Sequence, residues 1–210
     1  MLVSSLKAKQ DLKASFLTTR IIRSLWLLGR RFAAPMCSTL NDGEIMDNPV
    51  IQKARKDDAK SISDLILSVA NYFTLHPEGI GAERFLASMS PAAIEKYIDN
   101  PDFDYYVCHV GCDLAGVVAA KERNHLFHLF VAKRFQKNGF SKILWRHLKA
   151  NVFDSSGADK VTVNSTPYAV PVYEKFGFAS VGSKVERDGI AFVPMLFVAH
   201  PFNNSNHSHQ

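Results

Sequence analysis

The feature that most constrains the fold is the stretch from Phe127 to Leu148, where a strand pattern passes through a basic, glycine-bearing turn into a helix pattern. The apolar run Leu126 to Val131 is typical of a buried strand. The helix pattern after the turn is an apolar row at a spacing of four: Phe140, Leu144 and Leu148, with Ile143 beside it. The sequence therefore predicts a strand, a short turn and a helix packed onto one core.

The turn at residues 133–141 predicts an anion site. Gly139 lets a ligand approach the main chain closely. The backbone N–H groups of the first helical turn have no partner within the helix, and the helix dipole favours negative charge there. Positive side chains surround the same turn: Lys133, Arg134, Lys137 and Lys142. A pyrophosphate would fit this turn, and a glycine that serves the turn alone is the structural alternative.

Two motifs carry a resemblance to a known family. Residues 136–141, Gln-Lys-Asn-Gly-Phe-Ser, match neither a P-loop nor a dinucleotide fingerprint. They resemble [QR]-x-x-G-x-[GA], the acetyl-coenzyme A motif of the GNAT superfamily of N-acetyltransferases. About 25 residues downstream, residues 164–178 resemble the closing motif of that family, a strand ending in Asn, a short helix and then [FVY]-Y-[EK]-[KR]-x-G-F. Three residues depart from the commoner pattern: Ser141 for Gly or Ala, Lys133 for Pro, and Lys137 for Arg or Gly.

The remaining patterns predict the element order of the same family over residues 50–198. The order is β-α-α-β-β-β-α-β-α-β-β, and the first helix has a buried stripe at Ile62, Leu65, Ile66 and Val69. The closing hairpin is expected at residues 178–185 and 190–198. This order predicts a mixed α/β sheet. The resemblance implies the GNAT fold, a mostly antiparallel sheet of about seven strands flanked by about four helices.

The resemblance implies acetyl-CoA as co-substrate and a role for each matched residue. The strand before the turn would pair its backbone with the pantetheine arm like an added strand. The amides of the turn would hold the pyrophosphate, and the Asn that ends the later strand would hydrogen-bond the pantetheine. The implied cofactor-binding residues are Leu129, Phe130, Val131, Gln136, Lys137, Asn138, Gly139, Phe140, Ser141, Lys142 and Asn164.

The catalytic residues follow from the same family positions. Tyr173 would stand near the thioester sulfur as the general acid, with a packed aromatic residue as the alternative. His125 occupies the position of the general base in the histone-acetylating branch. Glu122 and His128 are rivals for that role, as is an ordered water. Strand alternation predicts that His128 faces opposite to His125.

The implied function is transfer of the acetyl group to a primary amine of a small molecule or peptide by direct attack. Acceptor selectivity would come from residues 71–82 and 183–190, where Glu78 and Glu186 would suit a cationic amine. A non-catalytic acyl-CoA-binding sensor is the alternative from another class. A nucleotide-binding regulator that uses the same turn is a further rival.

Charge and cysteine content limit the other possibilities. Residues 1–46 carry seven of the 25 Lys and Arg and three of the 20 Asp and Glu, which leaves 18 basic and 17 acidic residues in the remainder. That near-neutral remainder argues against a nucleic-acid partner. Three cysteines without paired CxxC units indicate reduced thiols, and no metal site. We expect a cytoplasmic protein, as a monomer or homodimer.

The sequence predicts three segments. Residues 1–46 form a basic extension, 47–199 the acetyltransferase domain, and 200–210 a polar, disordered tail. The longest apolar stretch of the extension, Leu25 to Leu28, is far shorter than the roughly 20 residues of a membrane span. Its Arg-bearing, acid-poor character fits an organelle transit peptide, which would place the protein in an organelle matrix. A translation start at Met36 or Met46 is the other interpretation.

Overall fold

The computed structural model describes residues 48–199 of the chain, so the expectations for residues 1–46 and 200–210 lie outside the described residues. The strands are β1 Val50–Lys53, β2 Phe103–Val110, β3 Asp113–Lys121, β4 His125–Val131, β5 Lys160–Ser165, β6 Phe178–Ser180, β7 Val185–Arg187 and β8 Ile190–Val198. The helices are α1 Ala59–Ser68, α2 Glu83–Ala87, α3 Pro91–Asp99, α4 Phe140–Leu148 and α5 Val170–Lys175. After α4 the chain continues through a π-helical segment, Lys149–Phe153, into one more turn, Asp154–Ser156.

The strands form one open sheet in the order β1-β2-β3-β4-β5-β8-β6, with β7 paired to another part of β8. Every pair is antiparallel except β4 with β5. The predicted fold class is confirmed, with eight strands where about seven were expected. None of the helices within residues 48–199 is long and apolar enough to cross a membrane.

The sequence predicts a single first strand of the closing hairpin over residues 178–185, whereas the structure has two short strands, β6 and β7. β6 ends at Ser180, opposite Met195, and β7 resumes at Val185, opposite Phe192. Pro194 lies between these two pairings on β8 and has no N–H to donate, so the ladder is interrupted there. The interruption leaves β7 to form a separate hairpin with the start of β8.

Two apolar cores lie on the two sides of the sheet. One joins α4, the π-helical segment and α5, and the other joins α1 and α3. Both predicted helix faces are buried. On α1 the buried residues are Ile62, Leu65 and Ile66, with Val69 directly after the helix, and on α4 they are Phe140, Leu144 and Leu148. Ile143 was expected beside the α4 row but is 37% exposed. Trp145 is buried in the core instead, where its ring packs on Phe178.

A bulge in β4 sets the positions of the two histidines on that strand. Ala119 of β3 pairs with His128 and Ala120 pairs with Leu126, so Phe127 is an extra residue without a partner on β3. The alternation of faces is interrupted there, and both His125 and His128 line the same cavity. The prediction that they face opposite ways is therefore wrong.

Strands β4 and β5 separate soon after they meet. Their parallel pairing covers only His125 with Thr162 and Leu126 with Val163. From His128 onward, β4 keeps its pairing with β3 but has no strand on its other edge. The sheet therefore opens as a wedge between β4 and β5 in the direction of α4.

Candidate functional site

The wedge holds a cavity of about 510 Å³, here called the wedge cavity. Its walls come from the open part of β4, the end of β5, the turn before α4, and α5. It brings together most of the predicted cofactor-binding residues: Leu129, Phe130, Val131, Gln136, Lys137, Gly139, Phe140, Ser141 and Asn164. An extended chain laid along β4 would meet main-chain groups that no other strand covers.

The turn predicted to bind an anion has unpaired backbone amides around Gly139. Gly139 is the N-cap of α4 and has a φ of 84°, which favours glycine. A Cβ atom at this position would meet no atom within 4 Å. The amides of residues 137–141 donate to no acceptor within residues 48–199. The amide of Lys142 donates to the Gly139 carbonyl at 3.0 Å, which leaves only its side chain for the cofactor.

Positive side chains add to these donors. Lys137 and Lys175 line the wedge cavity. Arg134 forms an ion pair with Asp113, so part of its charge is neutralised. Lys175 was not among the predicted site residues, although it occupies the basic position of the closing motif. The cavity therefore combines free amides with lysine charge, as a pyrophosphate requires.

Gln136 has a structural role at the turn. Its Nε2 donates to the Val131 carbonyl at 3.0 Å, which ties the start of the turn to the end of β4. The side chain thus holds the turn and satisfies one carbonyl on the open strand. Its predicted cofactor contact is compatible with its position on the cavity wall.

Tyr173, on α5, lines the wedge cavity with a side chain that is almost fully buried. Its ring packs edge-on against Phe176 and Phe178. Its hydroxyl forms no hydrogen bond with any residue in the described range. Burial raises its pKa above the usual value of 10, which keeps the hydroxyl protonated at neutral pH. The phenol on the cavity wall can donate a proton, and its raised pKa makes it a weaker acid than an exposed tyrosine.

A second cavity of about 630 Å³, here called the hairpin cavity, lies next to the first. Its cover is formed by the segment after α1 and the β7–β8 hairpin, which are bonded to each other. The Leu75 amide donates to the Gly189 carbonyl at 2.8 Å, and Thr74 forms a β-bridge with Ile190. The two cavities share five lining residues: Phe73, Phe127, Phe130, Asn164 and Thr166. A group bound in one cavity would therefore lie beside a group bound in the other.

Of the three candidate bases, His125 is the best placed. It lines the hairpin cavity, and its Nδ1 lies 2.8 Å from the Thr162 hydroxyl. Burial and the charge of Lys121 lower its pKa below 6.5, with Glu122 opposing them. The imidazole is therefore neutral at pH 7 and can accept a proton.

The two rivals are less suitable. His128 also lines the hairpin cavity, but burial lowers its pKa to about 3, which makes it a weak base at neutral pH. Its Nδ1 lies 2.7 Å from the Tyr105 hydroxyl, within a cluster of aromatic rings. Glu122 lines neither cavity and lies 3.2 Å from the Lys121 ammonium group.

Sequence reasoning missed an aromatic pair at the wedge cavity. The rings of Tyr72 and Tyr168 stack with their centroids 4.6 Å apart, and both line this cavity. Tyr72 belongs to the segment after α1, whereas Tyr168 belongs to the loop between β5 and α5. No spacing in the sequence connects them, because the contact exists only once the sheet brings these loops together.

The two glutamates expected to suit a cationic acceptor lie elsewhere. Glu78 is exposed and lines neither cavity. Glu186 also lies outside both cavities, and its carboxylate is 2.7 Å from the Lys184 ammonium group. The structure therefore gives these carboxylates no place on the wall of the hairpin cavity.

Comparison with known proteins identifies the family. A family model described as an acetyltransferase (GNAT) domain matches residues 73–198. The chain therefore belongs to the GNAT acetyltransferase family. No curated protein sequence matches it.

Solved structures show the same fold at low sequence identity. A GCN5-related N-acetyltransferase from Rhodopseudomonas palustris has a TM-score of 0.63 at 15% identity, covering 75% of this chain and 99% of that one. The PaiA N-acetyltransferase from Thermoplasma acidophilum, in complex with coenzyme A, has a TM-score of 0.59 at 14% identity, covering 72% and 99%. The ribosomal-protein-S18-alanine N-acetyltransferase from Escherichia coli has a TM-score of 0.55 at 14% identity, covering 76% and 100%.

Proposed function

We propose that this protein is an N-acetyltransferase that moves the acetyl group of acetyl-CoA to a primary amine. The observation that carries the proposal is the pair of adjoining cavities, one with unpaired amides and a proton donor, the other with a neutral imidazole. The family membership and the likeness to a coenzyme A complex support the cofactor. One similar structure is named as a ribosomal-protein-S18-alanine N-acetyltransferase, which supports an amine as the acceptor.

In this proposal the wedge cavity takes the cofactor. The free amides of residues 137–141 hold the pyrophosphate, with charge from Lys137 and Lys175 on the cavity wall and from Lys142 next to Ser141 in the chain. The pantetheine arm follows the open edge of Leu129, Phe130 and Val131 and reaches the Asn164 side chain. The thioester then lies near Tyr173, and the acceptor reaches it past the residues that the two cavities share.

The reaction needs one bond to form and one to break. The neutral amine, held in the hairpin cavity, attacks the thioester carbonyl carbon, and the new C–N bond replaces the C–S bond. His125 removes one proton from the nitrogen, directly or through water. Tyr173 gives its proton to the departing thiolate, so the products are an amide and the free thiol of coenzyme A. Proton exchange with water restores both side chains.

The test combines binding with turnover. Calorimetry should show that coenzyme A binds the protein and that ATP does not displace it. Thiol release from acetyl-CoA should depend on an added amine, and mass spectrometry should find that amine 42 Da heavier, the mass of an acetyl group less one hydrogen. Coenzyme A binding without any acetylated product would indicate the sensor alternative. Displacement by ATP would indicate a nucleotide-binding regulator and contradict the proposal.

A further inference from the structure

The ionisable residues of the hairpin cavity indicate what kind of amine it accepts. Apart from the two histidines, the charged residues that line it are Arg84, Arg187 and Asp188. Asp188 lies 3.8 Å from the Arg187 guanidinium group, so its carboxylate is already partly neutralised. Arg84, on α2, forms no ion pair with any residue in the range 48–199. The cavity wall therefore has one positive charge in excess.

A polycationic acceptor does not fit this wall. The second ammonium group of a polyamine needs a carboxylate nearby, and would instead meet the guanidinium group of Arg84. The histidines supply no negative charge. An acceptor that carries an anionic group would find a free guanidinium group, whose planar donors match the two oxygens of a carboxylate.

The rest of the wall is mostly apolar and aromatic. Five phenylalanine side chains line the cavity: Phe73, Phe85, Phe127, Phe130 and Phe192. Such a wall favours an apolar body of roughly ring size, because aromatic side chains supply most of the contact area in small-molecule sites. The charged end of the acceptor would then lie toward α2, and its amine toward His125.

We propose that the acceptor is a primary amine that carries a carboxylate on an apolar body, and that Arg84 binds this carboxylate. The proposal rests on the proposed function, since it takes the hairpin cavity as the acceptor site. Arg84 is exposed, so solvent screening limits its effect. We expect a preference of about tenfold, the size of one charge-assisted contact of ~1.4 kcal/mol.

The experiment compares each acid with its own neutral carboxamide. The amines are phenylalanine, 3-amino-3-phenylpropanoate and 4-(aminomethyl)benzoate, which place the carboxylate at three distances from the nitrogen. Spermidine serves as the polycation. Values of kcat/KM for the full chain with acetyl-CoA are corrected for the fraction of free amine at the assay pH. The acid should exceed its carboxamide by about tenfold in at least one pair.

Arg84→Gln should bring that acid-to-carboxamide ratio close to one, mainly through a higher KM for the acid. Arg146→Gln is the matched control, because Arg146 is an exposed arginine that lines neither cavity. The control should keep the wild-type ratio. Preference for the carboxamide in every pair, preference for spermidine, or a wild-type ratio in Arg84→Gln would overturn the proposal.

If no amine is acetylated, a binding measurement tests whether the hairpin cavity prefers a carboxylate. The N-acetylated acids and their carboxamides are titrated into the protein loaded with coenzyme A. Tighter binding of the acid, lost in Arg84→Gln, supports the acceptor class even though absent turnover contradicts the proposed function. Equal or weaker binding of the acid overturns the acceptor class.

Discussion

At the scale of single residues, the burial of each side chain bears on the roles proposed for Tyr173, His125 and His128. Burial raises the pKa of Tyr173 and lowers that of His125, so the first is protonated and the second is neutral at pH 7. A general acid and a general base require these two states. Complete burial of His128 lowers its pKa to about 3, so its ring is a weak base at pH 7.

Tyr173→Phe tests the proton donor. The ring contacts with Phe176 and Phe178 do not involve the hydroxyl, so packing and coenzyme A affinity should change little. We expect kcat to fall by roughly ten- to a thousandfold, the effect of losing one general acid or somewhat less. Steady-state kinetics with an acceptor confirmed by mass checks this. Wild-type turnover would leave Tyr173 as a packing residue.

His125→Gln tests the base through pH dependence. A base must be unprotonated to act, so kcat/KM falls on the acidic side as the imidazole gains a proton. Because the pKa of His125 is lowered, this acidic limb should lie below pH 6.5 in the wild type. In His125→Gln the limb should disappear from kcat/KM values that are corrected for the fraction of free amine at each pH. A limb that persists unchanged would assign the proton transfer to water or another group.

At the scale of elements, the strand–turn–helix unit could be predicted because its signals are local. The apolar spacing of α4, the glycine with its left-handed φ, and the closing motif are all visible in the sequence. The bulge at Phe127 could not be predicted. Residues 126–131 are apolar or aromatic on both faces of the sheet, so no polar alternation specifies the register. The direction of His128 depended on that register.

The interruption between β6 and β7 is a similar case. Pro194 marks a position where β8 cannot donate a hydrogen bond, but the sequence does not show which strands lie on either side of it. The stack of Tyr72 on Tyr168 also depends on loops that are 96 positions apart in the chain. These contacts come from tertiary structure, and local patterns carry no information about them.

Tyr168→Ala tests the role of this stack at the cofactor. Removal of one ring takes away contact area beside the pantetheine arm, so the Kd for coenzyme A should rise about three- to tenfold. Tyr168→Phe is the matched control, because it keeps the ring and should bind as the wild type does. Calorimetry on both variants provides the values. Equal affinity in Tyr168→Ala and the wild type would remove the stack from the cofactor site.

At the scale of the whole molecule, the two cores cover the two sides of the sheet. Within the described part of the chain, their buried residues all lie between Ala54 and Met195. The two cavities lie within the same range. The wedge is a property of the whole sheet, since it needs β5 to be held by β8 while β4 is held by β3.

A chain that starts at Met46 should keep the fold and the site, because the sequence of residues 1–45 shows no periodic core face. We expect its Tm within about 2 °C of the full chain, a difference of no more than ~1 kcal/mol in the free energy of unfolding. Its affinity for coenzyme A should match that of the full chain. Thermal unfolding and calorimetry compare the two chains. Aggregation or lost binding in the shorter chain would show that residues 1–45 contribute to the structure.

The central claim is that the amides around Gly139 hold the pyrophosphate of coenzyme A, and a matched pair of variants tests it most directly. Gly139 and Gly157 both have a positive φ, 84° and 71°, and a Cβ atom at either position would meet no atom within 4 Å. Glutamate therefore brings the same charge and a similar backbone strain of about 1 kcal/mol to both sites. Only Gly139 lines the wedge cavity.

Calorimetric titration of coenzyme A into Gly139→Glu, Gly157→Glu and the wild type is the measurement, with unfolding curves to show that both variants are folded. The account predicts that Gly157→Glu binds as the wild type does, whereas Gly139→Glu loses at least about a hundredfold in affinity because its carboxylate occupies the place of the phosphates. Equal coenzyme A affinity in the two folded variants would contradict it.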